Sequence, residues 1–288
     1  MITAPKWSMN TREYWSRATL NLLKFSASLT QLMNKLLKLI ASVTRKFHPR
    51  GTERILRFIC NPNTTKGLED IAEFDGLKIK TNTSSFIEWQ IFFKGSYEKN
   101  IADLIKRYLP KGGVFVDVGA NVGVHTLTAA RIASRVIAFE PIPEIANRLL
   151  ENCLLNSFTN VDIKPVVVSD EEGIATLYVL EGSNKSSTVC KEVTSRPHRT
   201  VERGAVGLDS ALKNQQVDFI KIDTDGNDRN VLMGAKEVIR KNRPVIIFED
   251  SDETVSKFSR KEIDEMLSFF GYQQIQVGKL NTLCIPND

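Results

Sequence analysis

The stretch Val114-Phe-Val-Asp-Val-Gly-Ala-Asn-Val-Gly123 constrains this chain more than any other. Residues 114–118 are β-rich and mostly apolar, follow Gly112-Gly113, and read as a buried parallel strand. The run ends in a glycine turn, 119–123, after which the apolar period lengthens toward that of a helix through Leu127, Ala130 and Ile132. A strand, a glycine turn and a helix form a site for a polar ligand, because glycine permits close backbone approach and a helix start offers unpaired N–H groups. The next apolar run, Val136-Ile-Ala-Phe139, ends in Glu140. A carboxylate at the end of a second strand suits the two hydroxyls of a ribose.

Both a dinucleotide and S-adenosylmethionine (SAM) carry such a ribose. The dinucleotide fingerprint G-x-G-x-x-G seats a pyrophosphate on the helix N-terminus. Here Asn121 stands where the middle glycine belongs, and Asp117 on the strand suits a ligand bearing an ammonium group. The spacing therefore favours SAM, with a nicotinamide-dependent oxidoreductase as the alternative.

Asp117-Val-Gly-Ala-Asn-Val-Gly123, Phe139-Glu-Pro141 and Lys221-Ile-Asp-Thr-Asp-Gly226, preceded by Gly95-Ser-Tyr-Glu98 and followed by Gly234-Ala235, together resemble the FkbM family of SAM-dependent methyltransferases. The resemblance spans roughly residues 76 to 250, and its specificity lies in the ordered set. Where one common family version reads Val-Glu-Gly-x-Glu, this chain reads Thr224-Asp-Gly-Asn-Asp228, so the acids are shortened but kept. The resemblance implies O-methylation of sugars or polyketide-like natural products. It also implies a small lead-in cap over the cofactor, with Tyr97 and Glu98 near it.

Charge divides the chain unevenly. Residues 1–60 hold 11 Lys/Arg against 2 Asp/Glu, and the remainder 28 against 32. The basicity thus belongs to the N-terminal segment, which argues against a nucleic-acid groove at the site and leaves an anionic lipid surface as a contact for that segment. From about Thr11 to Phe47, Leu22, Phe25, Leu29, Leu32, Leu36, Leu39, Val43 and Phe47 recur at helical intervals. Lys35 and Lys38 break any spanning segment or signal core. The expectation is an amphipathic helix that packs on the body, with peripheral membrane contact or self-association through residues 18–47 as the other readings. A non-catalytic scaffold attached through this helix is the third function class. Cys60, Cys153, Cys190 and Cys284 fit no metal-ligand spacing and read as free thiols of a reducing, cytoplasmic compartment. No metal site is expected.

The expected organisation is a basic helix (1–50), a connector and cap (51–112) and a SAM-binding domain (113–288). In the cap, Leu77–Lys80 and Ile91-Phe-Phe93 read as strands, and Tyr97 to Leu109 as a helix. In the body, strands at 114–118, 136–139, 161–168, 173–180, 218–222 and 245–248 alternate with helices at 143–156, 229–241 and 260–270. A hairpin, 272–277 with 282–285, closes the chain and is expected to add an antiparallel edge strand. This is the pattern of an α/β, doubly wound, Rossmann-like sheet.

Ligands of such sheets lie beyond the strand tips, and the tips here carry Asp117–Gly119, Glu140, Ser169-Asp170, Asp223-Thr-Asp-Gly226 and Glu249-Asp250. Asp117 with Gly119, Ala120, Asn121 and Gly123 is expected to hold the methionine part of SAM, and Glu140 the ribose. Ile142 is expected to pack on adenine, with Ser169-Asp170 near its amino group. Asp223 is the first candidate for the base that takes an acceptor's proton, and His125 the second. The polar loop 181–203, with Asn184, Ser187, Arg196 and His198, and Asp225 at the strand tip, are expected to face a small-molecule or glycan acceptor.

Overall fold

The computed structural model describes residues 11–47, 51–62, 67–180, 187–188, 198–249 and 256–287. They fall into two compact units, residues 1–55 and 56–288. The first contains α1 (Thr11–Phe47), the helix that the periodicity predicts, and the start of α2 (Thr52–Ile59). No described helix is long and apolar enough to cross a membrane.

After the end of α2, the second unit continues with an antiparallel pair, β1 (Glu69–Phe74) and β2 (Leu77–Asn82), joined by Asp75-Gly76. Both turn residues are left-handed, φ 50° and 73°, as a tight hairpin turn requires. Then come α3 (Phe86–Lys94) and α4 (Lys99–Tyr108). The expected strand Ile91-Phe-Phe93 is therefore helix. Trp89, Ile91, Phe92 and Phe93 are all fully buried, so α3 is enclosed on several sides and has no polar stripe to betray its period.

The body runs β3 (Val114–Val118), α5 (Val124–Ala130), β4 (Arg135–Phe139), α6 (Pro143–Leu155), β5 (Val161–Lys164), β6 (Val167–Val168), β7 (Gly173–Leu180), β8 (Ser187–Thr188), β9 (His198–Val206), α7 (Leu208–Ala211), β10 (Phe219–Ile222), α8 (Asp228–Met233), α9 (Lys236–Asn242), β11 (Val245–Glu249), α10 (Arg260–Phe269), β12 (Tyr272–Val277) and β13 (Asn281–Pro286). The main sheet has the order β12-β13-β11-β10-β3-β4-β5, and β6-β9-β7-β8 form a second, smaller sheet.

Four expectations change. The strand 161–168 splits between the two sheets as β5 and β6. Much of the loop 181–203 gives way to β9, which pairs antiparallel with β7 from Gly173↔Ala205 to Leu180↔His198. The helix 229–241 breaks into α8 and α9 at Gly234-Ala235, where a Cβ on Gly234 would lie 2.1 Å from the carbonyl oxygen of Ser169. Finally, the antiparallel strand is not the edge: β13 inserts between β11 and β12, and β12 is outermost.

Strand alternation positions the site. Val116, Val118, Ile220, Ile222, Ile246 and Phe248 face one core, packed with Val231, Leu232, Ile239 and Leu267 of α8, α9 and α10. Phe115, Phe219 and Ile247 face the opposite core with Ile101 and Ile105 of α4 and Ala129 of α5. Register pairs Lys221 with Asp117 and with Ile247. With a side-chain period of two, Asp117, Lys221, Asp223 and Glu249 then all fall on the α4/α5 face, at the carboxyl ends of three adjacent strands.

Candidate functional site

Polar residues on that face interact directly. Lys221 Nζ is 2.9 Å from Asp223 Oδ2 and 3.9 Å from Asp117 Oδ1, with its side chain 5% exposed. Burial works against its charge, yet Asp223, Asp117 and Glu98 drive its pKa upward, so it is a fixed cation. Asp117 is fully buried. Its Oδ2 accepts from Thr126 Oγ1 at 2.6 Å, and its Oδ1 has no hydrogen-bond partner among the described residues.

Asp223 responds to Lys221. Burial raises its pKa, but the Lys221 charge and a hydrogen bond with Glu249 bring it below the usual carboxylate value. Glu249 moves the other way, held up by burial and by the Asp223 charge, so at neutral pH Asp223 is the ionised member of the pair. Burial, with the Asp223 charge second, also pushes Asp225 and Asp228 up to about 7.

The N–H groups of the glycine turn are engaged within the protein. The N–H groups of Gly119 and Ala120 both donate to Phe139 O at 3.0 Å. Asn121 N donates to Glu140 Oε2 at 3.0 Å, Val122 N to Asn121 Oδ1 at 2.8 Å, and Gly123 N to Ala120 O at 3.0 Å. Five consecutive donors are thus satisfied within the protein, so the turn itself offers no free N–H to a pyrophosphate. The glycines are needed for chain packing. A Cβ on Gly119 would lie 1.8 Å from Asp223 O, and one on Gly123 would lie 2.2 Å from Leu149 Cδ1.

Glu140 is 4% exposed and is anchored by two backbone donors, Asn121 N and Ile142 N, the latter at 2.9 Å. Burial pushes it up to about 7 even so. Across the turn, His125 Nε2 lies 3.0 Å from Glu98 Oε2, and its buried Nδ1 has no partner among the described residues. The Tyr97 ring is 6.4 Å from His125, and burial and Glu98 raise the phenol's pKa. Glu98, Asn121 and Asp225 adopt left-handed backbone, φ 41°, 50° and 51°, a conformation that is costly outside glycine and clusters at functional sites.

Two neighbouring cavities lie over these groups. The larger, about 280 Å³, is lined by Tyr97, Glu98, residues 119–122, His125, Arg148, Lys221, Asp223, Asp225 and Glu249, with Glu88 at its cap side. The smaller, about 60 Å³, is lined by Phe139, Glu140, Val166, Val167, Val168, Leu177 and Asn227. Gly119, Asn121, Ile145, Asp223 and Asp225 line both.

Among the expected site residues, Tyr97, Glu98, Gly119, Ala120, Asn121, His125, Glu140, Asp223 and Asp225 are brought together around this space. Asp117 lies behind it, at Lys221. Gly123 and Ile142 are packed inside, and Ser169 and Asp170 line neither cavity. Ser169 Oγ donates to Asp170 Oδ1, and Lys257 pairs with Asp170 at 3.3 Å. His198 sits on β9 with its ring 5.3 Å from Tyr178 and lines neither cavity. Asn184 and Arg196 lie outside the described residues, as does the side chain of Ser187.

Sequence reasoning passed over Lys221 and Arg148. A lysine inside Phe219-Ile-Lys-Ile222 was the available signal, since a charge in a buried strand needs a partner. Arg148 gave none, because α6 brings it to the cavity from an ordinary amphipathic stretch.

A seven-stranded sheet whose last, antiparallel strand is tucked inside the edge, with acids at its central tips, is that of a Rossmann-like methyltransferase. Residues 117–274 match the methyltransferase FkbM domain, and the chain belongs to that family of methyltransferases, whose methyl donor is SAM. Two relatives are similar at the sequence level. "Methyltransferase sdnD" of Sordaria araneosa is 26% identical over 53% of this chain and 71% of its own length. "Hexuronic acid methyltransferase AglP" of Haloferax volcanii is 25% identical over 69% of this chain and 79% of its own. A solved FkbM methyltransferase from Methylobacillus flagellatus has a TM-score of 0.44 at 14% identity, covering 61% of this chain, which spans 44% of that structure.

Proposed function

We propose that this enzyme transfers a methyl group from SAM to a hydroxyl of a sugar or related natural product, with Asp223 as the base. The observation that carries the reading is the position of Asp223: it lines both cavities, ionised, beside a buried lysine and a carboxyl partner.

The lining fits the cofactor's chemistry. The small cavity offers apolar walls, Phe139, Val166, Val168 and Leu177, for a purine. Glu140, fixed by two N–H groups, keeps lone pairs for ribose hydroxyls. Glu98 and Asp225 bring carboxyl groups to the larger cavity, and a bound ammonium or sulfonium would favour their ionised form. SAM, when bound, supplies a methyl group already activated by its sulfonium. The protein's tasks are therefore alignment and proton removal. Asp223 takes the hydroxyl proton as the oxygen gains its methyl, while Lys221 and Glu249 hold the carboxylate in place. His125, tied to Glu98, positions the cap side and is the second candidate base.

Arg148 addresses the acceptor. One guanidinium nitrogen pairs with Glu69 at 3.0 Å, and Nη1 has no hydrogen-bond partner among the described residues. A carboxylate on the acceptor, as in a hexuronic acid, would be attracted by the guanidinium that lines the cavity. The test is calorimetry with SAM, followed by incubation of the full chain with labelled SAM and neutral or uronic acid glycans. Label is expected on an acceptor hydroxyl as an alkali-stable ether. Label on nitrogen, or no SAM binding, defeats the reading. Arg148→Met should raise KM for a uronic acceptor roughly tenfold or more and leave kcat and SAM affinity near wild type. An equal effect on neutral acceptors would remove Arg148 from carboxylate recognition.

A further inference from the structure

Helix α1 carries a surface that the methyl-transfer site does not use. Leu32, Leu36, Leu39, Val43 and Phe47 are 65%, 48%, 63%, 50% and 73% exposed. At about 100° per residue these five fall within an arc of roughly 80°, so they form one stripe along the helix. Lys35 and Lys46, both exposed, follow its margin. Five large apolar side chains in line on one helix are more than the scattered exposure normal for a soluble surface, and they indicate an interaction site.

Charge identifies the occupant. Between Glu13 and Glu53 the chain holds seven Lys/Arg and no Asp/Glu. A second copy would bring a segment of the same sign against this one, whereas an anionic lipid leaflet supplies the complement. The short α2 repeats the composition, with Ile55, Phe58 and Ile59 exposed at 62%, 92% and 45% beside Arg54 and Arg57. No described helix is apolar enough to span a bilayer, so the mode open to α1 is to lie in the plane of the interface. We propose that α1 docks on an anionic membrane surface, with the Leu32–Phe47 stripe in the acyl boundary and its lysines at the lipid headgroups. The inference does not depend on the identity of the acceptor.

The experiment is co-sedimentation of the full chain with vesicles of phosphatidylcholine alone and with vesicles containing about one third phosphatidylserine. Binding is expected only to the second, weakening at least tenfold as salt rises from about 0.1 M to about 0.5 M. Leu36→Gln/Leu39→Gln should lower it roughly tenfold. Lys35→Glu/Lys46→Glu should lower it at least about twenty-fold, since each basic residue near such a surface is worth roughly fivefold. Both pairs are exposed, and thermal melting and SAM affinity should match wild type, which separates lost docking from lost folding. No binding to either vesicle, or equal salt-insensitive binding to both, overturns the proposal. So does a lipid-free dimer in light scattering that dissociates in the Leu36→Gln/Leu39→Gln variant.

Discussion

The tips of β3 and β10 lie side by side, yet they treat their polar groups in opposite ways. At the β3 tip, each N–H from Gly119 to Gly123 finds an acceptor inside the protein. At the β10 tip, Asp223 pairs with one cation, Lys221, while Asp225 and Asp228 feel that cation only weakly, and Asp228 Oδ1 is left without a partner among the described residues. The first is a satisfied backbone frame, with only the Asp117 Oδ1 behind it left without a hydrogen-bond partner among the described residues. The second retains the energetic tension that a buried, under-neutralised charge cluster carries, and a cationic ligand would relieve it. The glycine motif that announces this fold is thus its scaffold, and the unrelieved charge lies on the neighbouring strand.

If that division is right, the β10 tip should yield the largest functional loss. Asp223→Asn removes the base while keeping shape, and kcat is expected to fall by about 10²- to 10⁴-fold. SAM affinity should stay within a few fold, because Lys221 keeps Asp117 as a partner at 3.9 Å. Single-turnover kinetics with labelled SAM reads the difference. Normal turnover would move the chemistry to His125.

The frame should fail through stability instead. Gly119 has φ +77°, and its added Cβ would stand 1.8 Å from a backbone oxygen that no rotamer change can move. Gly119→Ala should cost about 3 kcal/mol, combining the left-handed penalty with overpacking. Chemical denaturation measures it. A loss of SAM binding with stability intact would mean that the glycine serves the ligand after all.

The frame was also the part the sequence made legible, and for the same reason. A buried parallel strand is a continuous apolar run, and the turn after it is marked by glycines whose positions packing dictates, so Val114–Gly123 could be read without coordinates. The site's charges were legible as strand tips, because topology alone sends residues such as Glu140, Asp223 and Glu249 to one edge. Their partnerships were not, since Lys221 meets Asp117 only through the β3–β10 register. The misread elements lack the amphipathic signal. Helix α3 is buried on several sides, and β9 alternates exposed and half-buried residues with Arg199, Glu202 and Arg203 among them, as a polar loop also would. The break at Gly234 depends on Ser169, far away in the chain.

The finest test of the contrast lies in Asp228, which is 1% exposed and takes a single side-chain donor, Thr224 Oγ1 at 3.0 Å. Burial, followed by the Asp223 charge, pushes its pKa from 3.8 in a free carboxyl up to about 7 in the fold. A raised folded-state pKa means that the native state binds the proton more tightly than the unfolded chain does. Its stabilisation is complete below the unfolded value and disappears as pH rises through about 7. Asn cannot ionise and keeps the shape of the protonated acid. Asp228→Asn should therefore be nearly neutral below about pH 4 and increasingly stabilising above it, by up to about 4 kcal/mol at about pH 8, seen as a Tm difference that grows with pH. A difference that stays flat from acid to alkaline pH would mean that the ionised carboxylate is well solvated in the fold, and that the β10 tip is as fully satisfied as the turn beside it.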